Sequence, residues 1–167
     1  MIVIANTTPL ILLAKRGFFD FPHRFYGKIS IPPAVWWEVV EEGEGRAGAQ
    51  ETKEARAAGW IEVVELQDPE AAQRFWKTFG LGAGESEVLA LAQEHFADLL
   101  LLDDDQAVKR ARELGFAVRR TPGILALAKE QGLITSVKEH LDALRAKGLW
   151  LSDRAYRRIL RDMREAP

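Results

Sequence analysis

Asp98-Leu99-Leu100-Leu101-Leu102-Asp103-Asp104-Asp105 sets the strongest constraint on the fold, because it is a short apolar strand that ends in adjacent carboxylates. Neighbouring acids repel one another unless water, a basic group or a cation offsets their charge. In open α/β sheets the carboxyl ends of strands border the crevice where ligands bind, so this acidic edge falls where chemistry is found. It points to a divalent metal ion. An Asp at a strand-to-helix junction also serves as the cap or first-turn acid of the next helix, a role worth ~0.5–2 kcal/mol without any metal. A helix predicted from about Gln106 to Leu114, stopped by Gly115, uses one acid in this way, and the cap is assigned to Asp105.

The rest of the chain alternates short strands with helices. Met1 to Ala5 reads as a strand, Asn6-Thr7-Thr8-Pro9 as a turn, cap and helix opening, and Pro9 to Arg16 as a helix stopped by Gly17. Lys28 to Ile31 is a second strand, and Pro32-Pro33 opens a helix through Val35, Trp36, Val39 and Val40 that carries Glu38. A charged, glycine-rich loop at Glu42 to Gly48 precedes a polar helix near Gln50 to Ala58, a strand at Trp60 to Leu66 and a helix that starts at Asp68-Pro69. Gly80 to Gly84 breaks the pattern, and Glu85 to Ala97 resumes it as an apolar helix. Downstream lie a strand at Phe116 to Arg119, a turn at Thr121-Pro122-Gly123 and a helix to Gly132. Two closing helices follow, near Ser136 to Lys147 and Ser152 to Arg164. Such alternation implies an α/β fold in three layers, α/β/α, with a central mainly parallel sheet flanked by helices. A length of 167 residues suits one domain, with the C-terminal helices, about 136–164, packed on it or extending it.

Composition narrows the chemistry. The net charge of −2 advertises no global field for nucleic acid, so a polyanion would be held by a local patch or through a metal. With no cysteine and only His23, His95 and His140, disulfides, thiolate catalysis and sulfur- or histidine-rich metal sites drop out. Oxygen ligands remain, and these suit Mg²⁺ or Mn²⁺. Neither a membrane-spanning stretch nor a signal-type amino terminus is visible, which places the chain in the cytoplasm.

In a parallel sheet with right-handed crossovers, the ends of the Ile2 and Leu99 strands share one edge with the starts of the helices that follow. Asn6, Glu38, Glu85, Asp103 and Asp104 become candidates for one pocket. Carboxylates gathered in this way hold one or two hard cations that activate water and steady a phosphoryl transition state, so the reaction class is phosphodiester hydrolysis. Taken singly, each candidate also has a structural role. Glu38 reads as a solvated helix residue, Glu85 and Glu87 as complements to a helix dipole, and Asn6 as an N-cap. The five tryptophans, Trp36, Trp37, Trp60, Trp76 and Trp150, read as core or interface packing. On the last helix Arg154, Arg157, Arg158, Arg161 and Arg164 crowd one face. A solvated face is the default reading; with Lys109, Arg110 and Arg112 they also form a candidate stripe for RNA phosphates, and an antitoxin could use the same surface.

The segments I-V-I-A-N-T-T-P-L-I-L-L-A-K, I-P-P-A-V-W-W-E-V-V, L-G-A-G-E-S-E-V-L-A-L-A and A-D-L-L-L-L-D-D-D-Q-A, with R-T-P-G-I-L downstream, resemble a PIN-domain protein in order and separation. The likeness runs from Ile2 to about Asp153 and is strongest to a prokaryotic branch that begins N-T/S-S-P-L-I. It implies a metal-dependent ribonuclease, in many relatives the toxin half of a toxin–antitoxin pair similar to the VapC type, with RNA as substrate and a small antitoxin as partner. The family acids would fall on Asn6, Glu38, Glu85 and Asp103 or Asp104, with Thr7 or Thr8 as the hydroxyl beside the first acid and Thr121 at a later polar position. Asn6 departs from the family's aspartate: its carbonyl oxygen can ligate a hard cation but brings no charge and accepts no proton. Weaker metal affinity follows, and a binding module without catalysis is the alternative. A receiver-type signalling domain is a third reading, and Asn6 stands where such a domain has paired acids. Ile11, Leu12 and Phe19 on or near the first helix are either core or the contact of a homodimer.

Overall fold

A computed structural model describes residues 1–166, which divide into two compact units, Met1–Arg120 and the segment from Thr121 onward. The first unit contains β1 (Val3–Ala5), α1 (Thr7–Lys15), α2 (Phe21–Tyr26), β2 (Ile29–Ile31) and α3 (Pro33–Trp36), which runs into a π-helical turn at Trp37–Glu41. It continues with α4 (Ala49–Ala58), β3 (Ile61–Val63), α5 (Pro69–Phe79), α6 (Ala83–His95), β4 (Leu99–Leu101), α7 (Asp105–Glu113) and β5 (Val118–Arg119).

All five strands are parallel, in the order β3-β2-β1-β4-β5. The order reverses direction beside β1. Right-handed crossovers therefore put α1–α4 on one face and α5–α7 on the other, giving three layers. Val3, Ile4 and Ala5 of β1 and Leu99–Leu101 of β4 are buried throughout, as befits central strands covered on both sides. This explains the unalternating leucine run. The register pairs Val3 with Leu99, Ile4 with Leu100 and Ala5 with Leu101, so the two strands end together.

Several local expectations are corrected. Asp104, not Asp105, caps α7: its side chain accepts from the Ala107 N–H at 2.9 Å, while Asp105 pairs with Arg120 at 2.7 Å. Glu87 leaves its own helix and accepts from the Ala34 N–H at 3.0 Å, tying α6 to the start of α3. Trp37, Trp76 and Trp150 are 52, 58 and 69% exposed, so of the two roles expected for the tryptophans, core or interface packing, the core is excluded for these three. Leu12 and Phe19 are buried, which removes them as a contact for a second copy.

The second unit comprises α8 (Thr121–Glu130), α9 (Val137–Arg145) and α10 (Asp153–Asp162). Thr121-Pro122-Gly123, expected as a turn, is the first turn of α8, where proline costs little because the early N–H groups lack helical partners. Glu165 closes this unit. Its carboxylate accepts from the Val137 and Lys138 N–H groups at 2.9 and 3.0 Å, from Ser136 Oγ at 3.1 Å and from Lys129 Nζ at 2.9 Å. Burial alone would raise this carboxyl, but hydrogen bonds from Lys138, Lys129, Val137 and Ser136 outweigh it and hold its pKa at about 2, below the ordinary 4.5. Since the folded value is the lower one, the stabilisation is complete above pH 4.5 and drains away as pH falls toward 2. The side chain is only 13% exposed, so the effect is on the order of 2–3 kcal/mol. Urea denaturation of Glu165→Gln should show that deficit at pH 7, with wild type and variant converging near pH 2.

Candidate active site

The carboxyl ends of β1 and β4 meet at the point where the strand order reverses, the place where open α/β sheets bind ligands. The Asn6 N–H donates to the Leu101 carbonyl at 3.0 Å, so Asn6 leaves β1 hydrogen-bonded to the end of β4. Asp103 follows two residues after Leu101 on that same edge and is 7% exposed. Its backbone carbonyl accepts from Arg120.

Asn6 occupies the N-cap position of α1, yet its side chain makes no capping hydrogen bond. It is 2% exposed, and its Oδ1 is buried with no hydrogen-bond partner. The capping role expected from its position is therefore not what its side chain performs. More than nine in ten buried polar groups in proteins are paired, so an orphaned oxygen here asks for a partner.

Glu38 reaches the same place from a different direction. It lies in the π-helical turn, where the Glu42 N–H donates to the Trp37 carbonyl at 2.8 Å. Such turns are rare and recur at functional sites. Gly43 lets the turn close, since a Cβ there would stand 2.4 Å from the Val39 carbonyl oxygen. The Glu38 carboxylate accepts from Thr7 Oγ1 and, at 3.2 Å, from the Gly84 N–H, so two segments hold it in one orientation. It is not the solvated helix residue its neighbours suggested.

Gly84 links the two oxygens. A Cβ on Gly84 would lie 2.8 Å from Glu38 Oε2 and 2.9 Å from Asn6 Oδ1, so both oxygens crowd against one point of the α6 backbone. Sequence reading missed Gly84 and treated it as a helix breaker. The available signal was a glycine in the first turn of a helix, where alanine is intrinsically favoured unless a close approach forbids it.

The other two candidates are engaged locally. Glu85 Oε2 folds back toward Gly82 and would be 2.5 Å from a Cβ there, over the start of its own helix. Asp104 caps α7. Among the described residues no three His, Cys, Asp or Glu side chains gather closely enough to hold a metal ion by themselves. The donor set that does converge is nevertheless hard: an orphaned amide oxygen and an oriented carboxylate, with a buried aspartate on the same strand edge. Such a set fits Mg²⁺ or Mn²⁺, because Mg²⁺ is commonly held by one or two carboxylates, water and substrate phosphate rather than by a closed protein cage.

On α10, in the second unit, Arg154, Arg157, Arg158 and Arg161 are all exposed, and among the described residues none of them makes an ion pair. Arg110, in the first unit, is already committed, paired with Glu113 at 2.7 Å and stacked 4.1 Å over the Phe79 ring. No described helix is long and apolar enough to cross a membrane.

Curated protein sequences give no match to the chain. Among solved structures, the crystal structure of PAE2754 from Pyrobaculum aerophilum is similar with a TM-score of 0.51 at 15% identity, over 77% of this chain and 90% of that one. At that identity the likeness shows a shared fold. The sequence pattern described as PIN domain matches residues 2–165, almost the whole chain. A parallel sheet whose order reverses beside β1, where Asn6 and Glu38 face Gly84, and a family pattern that spans almost the whole chain point the same way: the chain belongs to the PIN domain family.

Proposed function

We propose that this chain is a Mg²⁺- or Mn²⁺-dependent ribonuclease whose site is built from Asn6, Thr7, Glu38 and Asp103, with Glu85 and Asp104 at its margin. One observation carries the reading: the buried, partnerless Oδ1 of Asn6 faces the same point as the Glu38 carboxylate. A divalent cation, when bound, supplies charge neutralisation for the phosphodiester and makes a nearby water more acidic. Glu38 and Asp103 would hold it through carboxylate oxygens, and Asn6 through its amide oxygen. Thr7 keeps Glu38 in its working orientation by donating to Oε2. Asn6 accepts no proton, so a proton shed by an attacking water would need another acceptor, Asp103 or solvent.

The unpaired arginines Arg154, Arg157, Arg158 and Arg161 support a phosphate-gripping face on the second unit. In this reading the protein acts on cellular RNA in the cytoplasm, and a small antitoxin would be its protein partner. A second reading, an RNA-binding module without catalysis, is favoured by one residue, the neutral Asn6 where the resemblance expects an acid.

Asn6→Asp separates the two readings. Returning a negative charge beside Glu38 is expected to tighten Mn²⁺ binding roughly tenfold by calorimetry and to raise cleavage of a single-stranded RNA in parallel. If neither wild type nor Asn6→Asp binds Mn²⁺ or cleaves RNA, the nuclease reading falls and the binding module replaces it.

A further inference from the structure

A pocket of about 490 Å³ opens beside Glu38, between α1 and the segment that follows the π-helical turn. Thr7 and Glu38 form one wall; Ile11 and Val39 give it apolar surface, and Lys15 and Arg46 bring two cationic side chains to its lining. Both Lys15 and Arg46 are exposed, and Arg46 makes no ion pair among the described residues.

We infer that this pocket seats one nucleotide adjoining the cleaved bond in an unpaired stretch of RNA, its phosphate held by Arg46 with Lys15 and its base or sugar against Ile11 and Val39. The inference rests on the nuclease reading for its position, since Thr7 and Glu38 belong to both places. Its volume lies within the range of small-ligand sites. Its chemistry is also that of a nucleotide, an apolar surface next to donors that suit phosphate. A base locked in a duplex cannot enter such a recess, whereas an unpaired nucleotide can be splayed into it.

Charge couples the pocket to the metal. Glu38 and Glu42 line it together with Lys15 and Arg46, so without a cation its formal charge is balanced and a phosphate gains little. A cation on Glu38 tips the balance to positive. Nucleotide and cation should therefore each strengthen the other's binding, as linkage requires.

Adenosine 5′-monophosphate is a suitable probe because it contains no internucleotide bond to cut. Nuclear magnetic resonance titration of the full chain should show it shifting the Ile11 and Val39 amides, with binding several-fold tighter in Mg²⁺. Arg46→Glu, on an exposed position, should weaken the mononucleotide about tenfold both with and without Mg²⁺, and should not weaken Mg²⁺ binding when no nucleotide is present, because it adds negative charge near Glu38. Single-stranded RNA should displace the probe, and the same RNA annealed to its complement should not. The assignment is overturned if the mononucleotide shifts other regions, if Arg46→Glu binds it as wild type does, or if duplex competes equally. If the mononucleotide docks at Ile11 and Val39 but Mg²⁺ and Mn²⁺ support no RNA cleavage, the nucleotide seat stands and the nuclease reading fails. Cleavage without docking upholds the nuclease and removes the nucleotide seat.

Discussion

Gly84→Ala is expected to lower Mn²⁺-dependent RNA cleavage by at least about a hundredfold while leaving the chain folded. The added methyl would meet Glu38 Oε2 at 2.8 Å, Asn6 Oδ1 at 2.9 Å and Glu38 Oε1 at 3.2 Å, all tighter than ordinary contact. The obstructing atoms are the far ends of two side chains, so the α6 backbone need not move. Glu38 swings away instead, and in doing so gives up its bonds from Thr7 and from the Gly84 N–H. Some stability is lost, since the roughly 0.5–1 kcal/mol that alanine in a helix gains over glycine offsets only part of two hydrogen bonds to a carboxylate, each worth roughly 1.5–3 kcal/mol. Circular dichroism and urea denaturation should therefore report a folded protein in which calorimetry finds Mn²⁺ binding severely weakened. Wild-type cleavage by this variant would mean that the chemistry lies elsewhere.

What the sequence disclosed was governed by local rules. Leu99–Leu102 and Ile2–Ala5 are legible as strands because central parallel strands tolerate only apolar side chains. Asn6 and Asp103 are legible as edge residues because topology alone carries the end of every parallel strand to one side. The register of capping was not legible. Asp103, Asp104 and Asp105 differ by single residues, and which one turns toward the Ala107 N–H depends on where the helix begins. The π-helical turn was hidden as well, since Trp37–Glu41 has ordinary helical composition and the close approach of Gly43 to the Val39 carbonyl appears only in the folded chain. Gly84 carried only the signal of a glycine in a helical first turn, and what it makes room for was not legible: its contact with Glu38 spans 46 positions and exists only once α6 has docked at the sheet edge. Exposure of Trp37, Trp76 and Trp150 belongs to the same class, because residue type predicts average burial and not which side of a helix meets solvent.

Glu38→Gln is expected to abolish metal-dependent cleavage, a loss of about 10²–10³-fold, and at the same time to make the metal-free protein slightly more stable. In the metal-free chain the Glu38 carboxylate and the Asn6 amide oxygen press on the same point of Gly84, two acceptors with no proton to share between them. An amide at position 38 keeps one acceptor for the Gly84 N–H and adds an N–H₂ that can donate to Asn6 Oδ1, satisfying a buried orphan at a gain of about 1 kcal/mol. The same substitution removes the charge that would attract a divalent cation and leaves only neutral oxygens beside Asp103. Thermal unfolding distinguishes the outcomes cleanly. Wild type should rise in Tm as Mn²⁺ is added, by the ordinary linkage of ligand binding to the folded state, whereas Glu38→Gln should start higher and stay level. A variant that starts lower and still responds to Mn²⁺ would show that Glu38 serves the fold and that the cation is held by other residues. An orphaned oxygen satisfied by a neutral side chain and activity lost with it are opposite sides of one arrangement: Asn6 Oδ1 is left without a donor at a place where a bound cation would serve it.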